Sequence, residues 1–198
     1  MTTSLFIVLA YLLGSLNFAI IVCKAVGFPD PRQEGSRNPG ATNVLRLGGK
    51  KLAIFVILGD ILKGVIPVLL AKMCGIENIA LSIIALAAVV GHIYPIFFKF
   101  EGGKGIATML GAILALSFLV GLILIATWIL IAVLSRFSSL ASIVSVITLP
   151  LYLLFFSHHT YIFPMLVLSV IVLIRHRANI QRLINHTEPK LGAKNAKN

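Results

Sequence analysis

A block of hydrogen-bonding residues lies between the first two hydrophobic runs of this chain. It reads Gly35-Ser36-Arg37-Asn38-Pro39-Gly40-Ala41-Thr42-Asn43-Val44-Leu45-Arg46. Its glycines let the backbone bend and approach a ligand closely, while its hydroxyl, amide and guanidinium groups are donors of the kind that an anionic oxygen binds. The block therefore predicts contacts with an anion.

A second segment places glycines and a lysine ahead of a long apolar run. Successive backbone N–H groups, the positive end of a helix dipole and a lysine can together hold a phosphate, and Glu101-Gly102-Gly103-Lys104-Gly105 supplies them. The pattern is not a Walker A loop, because Phe98 stands in place of the first glycine and Gly105 follows the lysine. Another Gly-Gly-Lys triplet, at 48–50, is interpreted as a turn that carries positive charge.

A third polar segment begins at Arg175-His176-Arg177, where the last apolar run ends, and continues through Asn179, Arg182 and Glu188. On a helix His176, Asn179 and Arg182 lie three residues apart and share one side. One interpretation is a further part of an anion site. The alternative is a basic amphipathic segment that lies on anionic headgroups.

Two charges, Asp60 and Lys63, lie inside the second apolar run, three residues apart on one predicted helix face. Placing either charge in lipid at the centre of a bilayer would cost about 2.5–3.5 kcal/mol of free energy, so we expect both to face the protein interior. A structural ion pair that braces the site is favoured over direct catalysis. His92 is either a histidine packed at a helix end or a ligand.

The sequence lacks the residue patterns that several types of catalysis require. The six acids form no cluster, and the cysteines and histidines show no metal-ligand spacing, so no metal site is predicted. No Gly-x-Ser-x-Gly nucleophile motif occurs. No histidine is followed five residues later by an aspartate, the pattern of common glycerolipid acyltransferases.

The composition is that of a polytopic membrane protein. Of 198 residues, 59% are hydrophobic and 12% charged, with a mean hydropathy of +1.03, which predicts one all-α domain over 1–198. The net charge of +11 comes from short basic stretches between apolar runs, as the positive-inside rule requires, and does not indicate nucleic-acid binding.

The spans follow from run length. Charge-poor runs cover about 4–23, 52–72, 79–98, 106–134 and 138–174. Because a span takes about 20 residues, each of the last two is predicted to be a pair of helices, with turns at 117–121 and 157–160. This gives seven transmembrane helices, or five if both runs stay undivided. Lys and Arg counting predicts an external N-terminus and a cytoplasmic C-terminus, with the three polar segments on the cytoplasmic face.

Neither a disulfide nor a cleaved signal peptide is predicted. Cys23 and Cys74 fall near opposite faces of a hydrocarbon core about 30 Å thick, so both are expected to be free thiols. No Lys or Arg precedes the first apolar run, which is therefore interpreted as a retained span.

The polar segments resemble the motifs of the acyl-phosphate:glycerol-3-phosphate acyltransferase family, PlsY. The matching runs are Gly-Ser-x-Asn-Pro-Gly-Ala-Thr-Asn-x-x-Arg at 35–46, Asp60-x-x-Lys63-Gly64, Gly91-His92, Gly102-Gly103-Lys104-Gly105-x-Ala107-Thr108, and His176-x-x-Asn179-Ile180-x-Arg182 with Glu188. They follow the family's order over nearly the whole chain. His186 departs from the pattern, since many members have Gly there, and this departure concerns the local turn more than the activity.

The resemblance implies a multi-pass enzyme of the bacterial inner membrane with a cytoplasmic active site. It implies transfer of a fatty acyl group from acyl phosphate to the 1-hydroxyl of sn-glycerol 3-phosphate, giving lysophosphatidate and inorganic phosphate without a cofactor. The implied partners are these two substrates and the lipid bilayer. A monomer is the working expectation, and the oligomeric state stays open.

The resemblance also implies the site residues. The catalytic group is Ser36, Arg46, Lys104, His176 and Asn179. The substrate- and phosphate-binding group is Gly35, Asn38, Gly40, Thr42, Asn43, Gly102, Gly103, Gly105 and Thr108. Structural support comes from Asp60, Lys63, His92, Arg182 and Glu188. Either His176 or the phosphate of the donor takes the proton of the glycerol hydroxyl, and the second is preferred.

Two other functions also fit parts of the chain. A small transporter for an anionic metabolite would use intramembrane charges and anion sites at helix ends, but it would spread polar residues across the bilayer depth. A lipid-binding scaffold would explain the amphipathic tail but not the glycine-rich blocks. The gathering of polar groups on one predicted face favours the enzyme.

Overall fold

The computed structural model describes residues 2–192, which form helices and no strand. The helices are α1 (Thr2–Gly14), α2 (Phe18–Ala25), α3 (Ala41–Met73), α4 (Asn78–Ile93), α5 (Ile106–Leu116), α6 (Phe118–Ser135), α7 (Ser138–Phe156), α8 (Ile162–Arg175) and α9 (Arg177–Ile184). Short 3-10 turns lie at Ile96–Phe98 and His159–Tyr161. The prediction of an all-α protein is confirmed for this part of the chain.

Four helices, α3, α4 with its 3-10 turn, α6 and α7, are long and apolar enough to cross a membrane. The number rises to six if the bent pairs α1–α2 and α8–α9 each form one span. The seventh helix that the prediction needs is α5, whose 11 residues reach about 16 Å, roughly half of a hydrocarbon core of about 30 Å. The count of seven and the orientation stay predictions.

The two long apolar runs divide where breaks were predicted. Ser117 separates α5 from α6 with an extended backbone, and α7 ends at Phe156, ahead of the 3-10 turn that leads into α8. The first run, predicted as one span over 4–23, contains two helices that meet at 43° and that are together long and apolar enough for one crossing.

The break between α1 and α2 has two stabilising contacts. The side-chain oxygen of Asn17 accepts a hydrogen bond from the N–H of Ile20 at 3.2 Å, which caps the start of α2. Lys63 Nζ donates to the Leu16 carbonyl at 2.6 Å, beyond the end of α1. The bend therefore depends on a residue 47 positions away in the sequence, which a local pattern does not reveal.

The predicted ion pair inside the second run is confirmed. Lys63 Nζ lies 2.7 Å from Asp60 Oδ1, and the two side chains are 2% and 3% exposed. His92 Nδ1 lies 3.5 Å from the same carboxylate oxygen and 3.2 Å from Thr108 Oγ1. His92 is thus packed at the end of α4. The buried side chains of Asp60, His92 and Thr108 join α3, α4 and α5.

Glycines set the separation of α3 and α5, the most extensively packed pair of helices. A Cβ atom on Gly64 would overlap the carbonyl oxygen of Thr108, and one on Gly111 would overlap that of Ile61. The two backbones therefore approach more closely than any larger residue allows, and together they form one wall of the cavity described below.

Two smaller predictions also agree with the structure. Gly49, in the triplet interpreted as a turn, has φ of 80° and interrupts the helical backbone of α3. This conformation is one that glycine adopts readily. Cys23 is buried, Cys74 is exposed, and both are free thiols.

We expect Gly64→Ala to lower the stability of the protein. In a loosely packed helix this substitution stabilises by about 0.5–1 kcal/mol, whereas overpacking against a backbone carbonyl destabilises by about 1–3 kcal/mol. Thermal unfolding in detergent, followed by helical circular dichroism, measures the effect. The control is Leu62→Ala, because the Leu62 side chain on the same helix is 51% exposed, and it should change the unfolding midpoint little. An unchanged or raised midpoint for Gly64→Ala contradicts the close packing of α3 and α5.

Candidate active site

A cavity of about 740 Å³ lies between α3, α5, α6, α7 and the junction of α8 with α9. Polar residues line it near the starts of α3, α5 and α7. Apolar residues line it further along the helices, namely Ile57, Ile61, Leu110, Leu114, Ile125 and Trp128. The cavity therefore combines a polar region with an apolar one.

The starts of α3 and α5 both face this cavity. Their N-cap residues, Gly40 and Gly105, make no side-chain capping hydrogen bond. The first N–H groups of a helix have no intrahelical acceptor and carry partial positive charge. Ala41, Thr42, Ile106 and Ala107 follow the caps and line the cavity, so the helix starts add anion-binding donors to its polar region.

Four cationic side chains line the cavity: Arg46, Lys104, Arg175 and Arg182. The acids in its lining are Asp60, already paired with Lys63, and Glu188. Burial and, to a smaller extent, the nearby guanidinium groups lower the pKa of Lys104 to about 8, against the opposing effect of Glu188. This polar region is therefore electropositive.

A chain of hydrogen bonds fixes the orientation of Asn179. Lys104 Nζ donates to Asn179 Oδ1, and Asn179 Nδ2 donates to Glu188 Oε1 at 2.7 Å. The other carboxylate oxygen of Glu188 accepts from Arg182 Nε at 2.7 Å. Burial raises the pKa of Glu188, but hydrogen bonds that include these two outweigh it and lower the pKa overall. The ionised carboxylate thus holds the amide with its oxygen toward the lysine.

The turn after α9 brings Glu188 back to this chain. The N–H of Thr187 donates to the Arg182 carbonyl at 2.8 Å, and that of His186 donates to the Leu183 carbonyl at 3.2 Å. This is the Schellman pattern, in which the residue after the C-cap is left-handed. His186 has φ of 56°, a conformation that costs a non-glycine residue about 1–2 kcal/mol. The geometry explains why glycine suits this position.

The loop before α3 is organised by Asn43. Its side-chain oxygen accepts from the N–H of Ser36 at 2.9 Å, and its nitrogen donates to the carbonyls of Pro31 and Glu34 at 2.9 and 3.0 Å. Both amide hydrogens are therefore used within the protein. Asn43, predicted as a substrate contact, holds the backbone of Ser36 in place, and both residues line the cavity.

The glycines before Lys104 differ from the predicted phosphate cradle. The N–H of Gly103 donates to the His92 carbonyl at 3.2 Å, and a Cβ on Gly102 would overlap that same carbonyl oxygen. Neither residue lines the cavity, so their smallness serves the close approach of this loop to α4. Gly105, with φ of 88°, does line it.

Most of the predicted site residues meet at the cavity. Its lining includes Gly35, Ser36, Asn38, Gly40, Thr42, Asn43, Arg46, Asp60, His92, Lys104, Gly105, His176, Asn179, Arg182 and Glu188. Four others, Lys63, Gly102, Gly103 and Thr108, lie behind this lining. The three polar segments thus come together although they are separated by tens of residues.

Sequence reasoning missed Arg175 and the apolar lining. Arg175 Nη2 donates to the carbonyls of Gly102 and Gly103 at 3.0 and 3.4 Å, and its guanidinium lies 5.7 Å from the centre of the Tyr94 ring. Its only sequence signal is its position beside His176. The lining residue Trp128 has no such signal, because apolar residues fill every span.

No part of the chain between residues 2 and 192 brings three or more His, Cys, Asp or Glu side chains together as a metal site needs. The groups that the cavity offers to a ligand are cations, amides, hydroxyls and backbone N–H donors. These groups bind anionic oxygens.

Comparisons with known proteins point to one family. A family model described as glycerol-3-phosphate acyltransferase matches residues 4–186. A glycerol-3-phosphate acyltransferase of Legionella pneumophila (strain Corby) is 53% identical over 96% of this chain and 69% of its own length. One of Coxiella burnetii (strain Dugway 5J108-111) is 47% identical over 93% of this chain and 96% of its own length.

Two solved structures are similar to this one. A crystal structure of PlsY, an integral membrane glycerol 3-phosphate acyltransferase in its glycerol 3-phosphate form, has a TM-score of 0.90 and 41% identity, covering 96% of each chain. The lysophosphatidic acid form has a TM-score of 0.88 and 40% identity, covering 96% of this chain and 95% of the other.

We expect the binding of a phosphate monoester to the polar region of the cavity to weaken as the pH rises through about 8, the pKa of Lys104. Above that pH the lysine loses its charge, whereas a phosphate monoester with a second pKa of about 6 stays dianionic. Isothermal titration calorimetry between neutral and alkaline pH measures the dissociation constant, which should rise by up to tenfold per pH unit.

Two variants test the assignment to Lys104. Lys104→Arg keeps its charge, so its affinity should stay level over the same range. Arg175→Gln removes a neighbouring cation, which raises the pKa of Lys104 and moves the loss of affinity to higher pH. An identical pH dependence in all three proteins excludes Lys104 as the titrating group.

Proposed function

The chain belongs to the glycerol-3-phosphate acyltransferase family, and from this premise we propose that it transfers a fatty acyl group from acyl phosphate to the 1-hydroxyl of sn-glycerol 3-phosphate. The products are lysophosphatidate and inorganic phosphate, and the reaction serves phospholipid biosynthesis in the bacterial inner membrane, with the active site on the cytoplasmic side. One observation carries the proposal: a single cavity holds four cationic side chains and an apolar lining.

This cavity matches the shape and charge of both substrates. The donor has a phosphate at one end and a hydrocarbon chain at the other, so the phosphate fits the cationic region and the chain fits the lining of Ile57, Ile61 and Leu114. The acceptor is small and dianionic and needs only the cationic region. Four cations and two helix starts are sufficient for two phosphates.

The reaction transfers the acyl group directly from the phosphate oxygen of the donor to the hydroxyl of the acceptor. The acceptor hydroxyl attacks the acyl carbon, a new C–O bond forms, and the bond to the phosphate oxygen breaks. Charge develops on the carbonyl oxygen. Lys104 and the N–H groups at the start of α5 are donors in the polar region that can stabilise this charge. Because phosphate is a good leaving group, no covalent enzyme intermediate is needed.

His176 and the phosphate of the donor are the two candidate acceptors for the hydroxyl proton. His176 Nδ1 lies 2.8 Å from the Val172 carbonyl, which only accepts, so this nitrogen donates and neutral His176 has Nε2 as a free acceptor. The orienting partner is a carbonyl rather than a carboxylate, which gives less stabilisation to a protonated ring. This favours the phosphate of the donor as the proton acceptor. Because the reacting hydroxyl has one hydrogen and donates it to that phosphate, Nε2 of His176 accepts from the neighbouring hydroxyl of glycerol 3-phosphate and orients the acceptor.

A donor comparison tests the proposed reaction. Purified protein is mixed with labelled glycerol 3-phosphate and, separately, with palmitoyl phosphate, palmitoyl-CoA or palmitoyl acyl carrier protein, and labelled lysophosphatidate is measured. We expect product with palmitoyl phosphate alone, because its phosphate can occupy the cationic region. Product from a thioester alone overturns the acyl phosphate donor, and product from none of the three overturns the acyltransferase.

Substitution of His176 distinguishes the two proton acceptors. If the donor phosphate accepts the proton, His176→Gln keeps a hydrogen-bonding group and should retain kcat within about tenfold, with an unchanged pH profile, and His176→Ala should lose more. The measurement is kcat against pH with palmitoyl phosphate. Loss of about 100-fold or more in both variants, with the acidic limb removed, identifies His176 as the general base instead.

A further inference from the structure

Two loops carry polar groups to the cavity. The first, residues 26–40, contains Ser36 and leads into α3, and the second, residues 94–105, contains Lys104 and leads into α5. Asn43 of α3 holds the first loop, and the carbonyl of His92 at the end of α4 holds the second. Neither of these attachments joins one loop to the other.

Arg32 of the first loop contacts both loops. Its Nε donates to the two carboxylate oxygens of Asp30 at 3.1 Å each, and its Nη2 donates to Asp30 Oδ2 at 2.7 Å. Its Nη1 reaches the second loop, at 3.1 Å from Glu101 Oε2 and 3.4 Å from the Phe98 carbonyl oxygen. The guanidinium is a rigid planar fork, so one edge of it holds its own loop while the remaining nitrogen holds the other.

The two loops also meet beside the cavity. A Cβ atom on Gly103 would lie 3.1 Å from the carbonyl oxygen of Pro39, the residue before the N-cap of α3. One contact alone would let the second loop pivot about it, whereas two separate contacts fix the orientation of the loop. Arg32 and Glu101 provide the second contact, and neither side chain lines the cavity.

We propose that Arg32 is a positioning residue for acyl transfer, because its bridge between the two loops sets the position of Lys104 relative to Ser36. This inference rests on the proposed function. Arg32 does not line the cavity, so it acts on the substrates only through the residues that do. A misplacement of about 1 Å can cost about 100-fold in rate. Loss of the bridge should therefore lower turnover more than substrate binding.

The first experiment separates kcat from KM. In Arg32→Gln the shorter side chain cannot bond both loops, so kcat with palmitoyl phosphate should fall about tenfold through misalignment. The KM for glycerol 3-phosphate should stay within about threefold, because every cation of the cavity is kept. All assays are run well below the thermal midpoint of each variant, so unfolding does not contribute to the loss.

Two further variants separate bridging from charge. Arg32→Lys keeps the positive charge, but an ammonium is a single point on a flexible stem and does not reproduce the fork, so it should recover little of the lost kcat. Lys99→Gln removes an exposed cation from the second loop and is the control for loss of charge. Its kcat should stay close to that of the unaltered protein.

A double-mutant cycle tests the contact with the second loop. Glu101→Ala removes a side chain that is 66% exposed, so packing changes little. Alone it should lower kcat about threefold, the scale of an exposed ion pair. In combination with Arg32→Gln it should cause no further loss, because the contact is already absent. Glu34→Gln, which neutralises an exposed acid of the first loop, is the control and should change kcat little.

The outcomes separate this inference from the proposed function. An unchanged kcat in Arg32→Gln, full recovery in Arg32→Lys, or losses that multiply in the double variant each overturn the positioning role and leave the acyltransferase intact. No turnover by the unaltered protein overturns the function itself.

A second measurement does not depend on activity. Hydrogen exchange of the protein in detergent, followed by mass spectrometry, reports how firmly the second loop is held. In Arg32→Gln the amides of residues 98–103 should exchange at least about fivefold faster, because the loop opens more often. The amides of α7 should keep their rates. Unchanged exchange over 98–103 shows that Arg32 does not hold this loop and overturns the proposal.

Discussion

The mutual repulsion of four buried or half-buried cations is the constraint around which this site is organised. Three of the four have a compensating group: Arg182 has the Glu188 carboxylate, Lys104 has the Asn179 amide oxygen, and Arg175 has the carbonyls of the loop before Lys104. Arg46 Nε is buried without a hydrogen-bond partner among the described residues. The compensation is mostly by neutral dipoles, so net positive charge remains for a phosphate to neutralise. Phosphate binding should therefore also stabilise the fold.

The lipid bilayer, which is an apolar solvent for the helices, explains why so much of the site could be predicted from the sequence. Where most side chains must be hydrocarbon, polar residues at 35–46, 101–105 and 176–188 stand out, and their proximity follows once they share one end of the helices. The buried pair of Asp60 and Lys63 follows in the same way, since neither charge is stable alone in a bilayer. Residue type and helical period thus predict which groups meet.

What could not be predicted depends on partners that are distant in sequence. The bend before α2 depends on Lys63, and the position of the loop before Lys104 depends on Arg175 and on the carbonyl of His92. Gly103 fits a phosphate cradle by local pattern, yet its N–H is occupied by α4.

The left-handed residue at the end of α9 has a consequence for motion. His186 holds a backbone conformation that a side chain disfavours, and the turn it forms is what carries Glu188 to Asn179. This turn lies on the surface and buries little apolar area, so it is among the parts of the site that can open locally while the bundle stays folded. When it opens, the amide of Asn179 is released to rotate. The polar wall of the cavity is thus tethered by a segment that can open while the helices around it stay folded.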